Sequence, residues 1–148
     1  MIKNKFMALT LTVVLTAGML TGCGSGDKAK DKDAYRQYGI NCIENGSYDD
    51  AVDAFQKALD QSVGSVGAEE LDICYYKAKA QYLSGDVDGA IDTYTAIIDY
   101  NKDSDAYYLR GCIYFAKNDS DKGLKDFKTA LIIMSSILAF MRPCQSMA

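Results

Sequence analysis

One arrangement of small and aromatic residues occurs three times in this chain, and such self-similarity limits the possible folds more than any other feature of the sequence. In the first copy Tyr35, Tyr38, Gly39 and Cys42 are followed by Ala51, Phe55 and Ala58. In the second, Cys74, Lys77, Ala78 and Gln81 are followed by Ala90, Tyr94 and Ile97. In the third, Tyr107, Arg110, Gly111 and Tyr114 are followed by Gly123, Phe127 and Ala130. The step is 39 residues from Ala51 to Ala90 and 33 from Ala90 to Gly123. The flexible stretch Gln61–Gly67 accounts for the longer step. A small residue on the first helix of each unit (Gly39, Ala78, Gly111) and another on the second (Ala51, Ala90, Gly123) let two helices approach closely. Rings at Phe55, Tyr94 and Phe127 then fill the space between one pair and the next. Asn45-Gly46, Ser84-Gly85 and Asn118-Asp119 break the helices between these positions. Ser47, Asp86 and Asp119 stand where a side-chain oxygen caps free amides. Six helices in antiparallel pairs are predicted from Asp33 to about Met134, with 61–67 as a loop.

This pattern is similar to the tetratricopeptide repeat, W-x2-L-G-x2-Y followed by A-x3-F at a period of about 34 residues. The resemblance runs from about Asp33 to Leu131. The first and third copies match well, whereas the second has Cys74, Lys77 and Gln81 at positions usually bulky or aromatic. The resemblance implies an all-α fold of three helix-turn-helix repeats forming a short right-handed solenoid over residues 33–134. In such a solenoid the first helices of successive pairs line a concave groove that takes a protein or peptide partner. By helical spacing, the residues facing that groove are Arg36 and Ile40, then Tyr75, Lys79 and Tyr82, then Tyr108, Cys112 and Phe115. They form an aromatic stripe with two cations at one edge, and Tyr and Arg are enriched at binding hot spots. Ile40 stands where the carboxylate clamp of chaperone-binding family members has Asn, so the groove departs from that pattern.

The N-terminus reads as an address. Lys3 and Lys5 precede an apolar run, Phe6 to Leu20, interrupted by Thr10, Thr12, Thr16 and Gly18. Fifteen such residues are short for a bilayer span and suit a secretory signal. Leu20-Thr21-Gly22-Cys23 resembles the lipobox of bacterial lipoproteins, which implies a signal peptide over 1–22, lipidation of Cys23 and anchoring to the outer side of a bacterial cell membrane. Residues 23–32, Gly-rich at the start and charge-mixed, have the composition of a flexible tether. Loss of 1–22 removes Lys3 and Lys5 and no acid, leaving 14 basic and 20 acidic residues, a net charge of −6.

Composition narrows the function. The 148 residues contain no histidine, which excludes Ser-His-Asp and Cys-His catalysis, HExxH helices and mixed Cys/His zinc sites. A net charge of −4 argues against sequence-independent nucleic-acid binding. Apart from Cys23, the cysteines are Cys42, Cys74, Cys112 and Cys144, with no CxxC among them. Cys42 and Cys74 fall at core positions of the repeats. Asp49, Asp50 and Asp53 complement a helix dipole rather than bind metal. No cofactor or metal is expected. Thr129 to Met141 lacks any charge, and Pro143 ends the run. The third pair's second helix is expected to continue to about Met141 with apolar side chains exposed, although residues 135–148 as a whole read as an irregular apolar tail. The expected function is non-enzymatic: a lipid-anchored, extracytoplasmic scaffold for a protein or peptide. The alternatives are a thiol-dependent enzyme using Cys112 and a structural subunit of an envelope assembly.

Overall fold

The computed structural model describes residues 25–62, 64 and 66–141. The expected signal peptide, Cys23, Cys144 and the last seven residues lie outside them. Six helices follow in order: α1 Ser25–Glu44, α2 Tyr48–Asp60, α3 Ala68–Ser84, α4 Val87–Asn101, α5 Ser104–Ala116 and α6 Ser120–Met141. Among the described residues there is no strand. Each helix packs on the next along the chain, and α1 also reaches α3, so three helical pairs stack into a solenoid.

The small residues do what their spacing requires. A Cβ on Gly39 would stand 2.7 Å from the Phe55 ring, and one on Gly111 would stand 2.7 Å from the Phe127 ring. Gly111 and Gly123 face each other so closely that a Cβ on either meets the other's carbonyl oxygen, at 3.2 and 3.1 Å. The rings therefore sit over the glycines of their own pairs, and only Phe55 also stacks on a ring of the following pair, Tyr76, at 5.7 Å between centroids. Two cores result. Cys42, Ala51, Phe55, Ala58, Ile73 and Ala80 join the first pair to the second. Ala78, Ala90, Tyr94, Ile97, Ile98, Ala106 and Ile113 join the second to the third.

Helix ends depart from expectation at several places. Asp86 caps α4 by accepting from the Gly89 amide, and Asp119 caps α6 by accepting from the Lys122 amide. Ser47 occupies the N-cap of α2 but makes no side-chain cap. Asp103, passed over in the sequence, accepts from the amides of Asp105 and Ala106 at the start of α5. The tether expected over 23–32 is helical from Ser25, because Lys28 to Lys32 are free of Gly and Pro and made of ordinary helix formers apart from Asp31. Lys32 also ties this stretch to α3 through ion pairs with Glu69 and Glu70. The irregular tail expected from 135 is helical through Met141, since nothing interrupts helix propagation before Pro143. The continuation of α6 past Leu131 with exposed apolar side chains is as expected.

Candidate functional site: a groove between the second and third pairs

α4 packs against both α3 and α5, and the space left between those two first helices is a pocket of about 460 Å³. It is lined by Asp72, Tyr75, Tyr76, Lys79 and Tyr82 of α3, Tyr94 of α4, and Leu109, Cys112 and Ile113 of α5. Tyr94 and Ile113 are buried beneath it, and Tyr75 tilts against Tyr94 with ring centroids 6.0 Å apart. Tyr82 and Cys112 stand exposed at the mouth. Apolar walls with a few polar groups are the usual make-up of a binding cleft.

Burial shapes the chemistry of the phenols. It pushes Tyr94 up to about 12, with Cys112 adding a smaller effect. Burial also drives Tyr75 well above the ordinary phenol range, and the carboxylate of Asp103 adds to it. The Tyr75 hydroxyl has no hydrogen-bond partner of ordinary geometry among the described residues. Burial likewise raises the Cys74 thiol. Cys42 is buried, Cys74 half-buried and Cys112 exposed, and all three are free thiols.

Of the eight residues read as groove-facing, four come together here: Tyr75, Lys79, Tyr82 and Cys112. The other four do not line the pocket. Arg36 is held by Asp72, with its Nε donating to Oδ2 at 2.8 Å, and its guanidinium lies 5.5 Å from the Tyr76 ring centre. It organises the rim of the pocket from α1 and is not a free cation. Ile40 packs half-buried against the first core. Tyr108 and Phe115 both stack on Phe127 of α6, at 5.3 and 5.2 Å. Tyr108 nevertheless remains 54% exposed. Thus the expected stripe with two cations is a compact aromatic pocket with one, Lys79, whose ammonium has no ion-pair partner among the described residues.

Sequence reasoning missed Tyr76, Tyr94, Leu109, Ile113 and Asp72. Leu109 and Ile113 flank Cys112 on the same helical face, so the spacing carried their signal. Tyr94 was read as filler between pairs, and besides packing there with Ala106 and Ile113 it forms a wall of the pocket. On the opposite side of the third pair, Arg110 makes a two-pronged pair with Asp126, Nε to Oδ2 at 2.8 Å and Nη2 to Oδ1 at 2.9 Å. Its Nη1 donates to Thr95 at 2.8 Å, so one side chain ties α4, α5 and α6 together. Neither a cluster of metal-ligating side chains nor a helix long and apolar enough to cross a membrane occurs among the described residues.

Comparison with known proteins agrees with the geometry. A family model described as tetratricopeptide repeat matches residues 43–111, and a second of that description matches 104–131. A search of the curated proteins finds no match. The structure is similar to the crystal structure of MamA, with 21% identity and a TM-score of 0.58 over 69% of this chain and 57% of that one. It is also similar to the TPR domain of Arabidopsis FLU, with 18% identity and a TM-score of 0.61 over 74% of this chain and 98% of that one. The chain thus spans little more than half the length of the MamA structure. At these identities the likeness is one of fold.

Proposed function

Because this chain carries tetratricopeptide repeats over residues 43–131, we propose that it is a scaffold whose pocket between α3 and α5 captures a protein or peptide partner. The observation that carries this reading is the 460 Å³ pocket itself, with three tyrosines of one helix along one wall and Lys79 at its edge. Its size and apolar walls suit one large aliphatic or aromatic side chain of an extended partner. The exposed Tyr82 lies over such a side chain, and Lys79 attracts a carboxylate beside it. Repeats of this kind typically serve as non-enzymatic scaffolds, and the groove holds one exposed thiol with no histidine in the chain to activate it.

We further propose that the scaffold is exported and held on the outer face of a bacterial membrane through lipid on Cys23. Lys3 and Lys5, the apolar run after them and Leu20-Thr21-Gly22-Cys23 support this. Two experiments test the reading. A photo-crosslinking residue in place of Tyr82, in the native cell, should capture a discrete protein that the same probe at the exposed Tyr100 does not. No capture at Tyr82, or equal capture at both, argues against the pocket. Cys23→Ala should abolish incorporation of a fatty-acid label, and label that persists removes the anchor.

A further inference from the structure

We propose that α6 is a self-association surface on which a second copy of this chain docks its own α6 in antiparallel orientation. Leu124, Leu131 and Leu138 recur at intervals of seven residues, and Phe127 and Met134 follow the first two by three. Alternating steps of three and four place apolar side chains along one seam, the pattern by which two helices pack together. Within one copy this seam is largely uncovered. Leu131 is 66% exposed and Leu138 62%, with Leu124 and Met134 near half.

The length of α6 explains why. It has 22 residues against 13 in α5, so its last turns run past the start of its own partner helix. Ile132, Ile137 and Phe140 are exposed there as well, Phe140 at 92%. Ile132 and Phe140 lie on the outer side of the helix, whereas Leu124, Leu131, Met134, Leu138 and the flanking Ile137 leave roughly 550 Å² uncovered on the seam side, taking about 200 Å² for a large side chain in full. That is a large apolar patch for a lone soluble protein. It approaches the roughly 600 Å² per partner at the lower end of specific interfaces.

Charge selects the occupant and the orientation. Thr129 to Met141 carries no charge, whereas Lys125 and Lys128 lie in the turns just before it. A parallel pair would set Lys128 beside its own copy. An antiparallel pair centred on Leu131 sets Leu124 against the partner's Leu138 and lays the charged half of each helix along the uncharged half of the other. Each protruding end then covers the apolar surface around Leu124 and Tyr108 that the third pair leaves open. A membrane surface is the poorer fit, because helices that lie on lipid carry Lys and Arg opposite their apolar face, and these last turns carry none.

The test uses the full chain, co-expressed in the native cell with two different tags and a photo-crosslinking residue in place of Leu131. The expected product contains both tags at twice the monomer mass. Leu138→Asp, at a side chain already exposed in one copy, should reduce that product about tenfold or more, since a charged group would replace an apolar contact in the seam. Circular dichroism of that variant should show unchanged helicity. Adducts of one tag with lipid, adducts with an unrelated protein, or the absence of a two-tag product would each overturn the proposal. So would a two-tag product insensitive to Leu138→Asp.

Discussion

The first and third helical pairs are built on the same lock and differ in what lies beyond it. In both, a phenylalanine of the second helix sits over a glycine of the first, Phe55 over Gly39 and Phe127 over Gly111. Phe55 is fully buried, because α3 follows and places Tyr76 on its other face. Phe127 is covered only by Tyr108 and Phe115 of its own pair and remains half-buried. Identical local chemistry thus yields a core residue in one place and a surface cluster in the other. The Arg110–Asp126–Thr95 bonds tie the third pair back to α4, where the first pair has Arg36–Asp72 at its rim.

The contrast breaks most readily at the rings. Phe55→Ala should lower stability by about 3–5 kcal/mol, the usual cost of emptying a fully buried phenylalanine site. Phe127→Ala should cost about half as much, since part of that ring already meets water. Chemical denaturation of the two variants measures both, and equal losses would mean that the following pair contributes nothing to the burial of Phe55.

The ion pairs should differ in the opposite sense. Asp126→Ala strands the mostly buried Arg110 and should cost about 3 kcal/mol. Asp72→Ala affects a pair whose members are both partly exposed, and it should cost less than about 1 kcal/mol. Next come the glycines. Gly39→Val and Gly111→Val should each cost about 1–3 kcal/mol from overpacking. Gly39→Val should lie at the upper end, because Tyr76 blocks the outward movement of Phe55 that remains open to Phe127.

The smallest effect concerns pH. Lys32, and after it the Gly67 amide, hold the Glu70 carboxyl down at about 2, against 4.5 unperturbed. A depressed carboxylate contributes stability that is complete above pH 4.5 and is lost as the pH falls towards 2. The melting temperature should therefore fall by a few degrees more over that window in the parent chain than in Glu70→Gln. Parallel pH profiles would show that the tie between α1 and α3 is not electrostatic.

The repeats were legible because close helix contact admits few residues at a few places, and Gly39, Ala51, Gly111 and Gly123 mark those places along the chain. Half of the residues read as groove-facing line the pocket. Helical spacing assigns a residue to a face, and Tyr75, Lys79, Tyr82 and Cys112 were found that way. It does not say which neighbour reaches that face first. Arg36 was read as a cation at the edge of the stripe because the partner that claims it, Asp72, lies 36 residues away on another helix. Tyr108 and Phe115 were assigned to the groove for the same reason, although Phe127 draws both towards α6. A helix start was misplaced where no strong signal exists, at Ser25 in a mixed-charge run, whereas α6 ends at Met141, where the uncharged run before Pro143 had placed it.

The central claim is that the pocket between α3 and α5 is the binding surface, and the affinity of Tyr82→Ala for the protein captured by crosslinking tests it most directly. Tyr82 is exposed at the mouth of the pocket, so its removal should leave helicity and melting temperature unchanged while weakening binding about tenfold or more, as loss of an aromatic hot spot does. Parent-like affinity in a fully folded Tyr82→Ala chain would contradict the account and move the binding surface elsewhere on the solenoid.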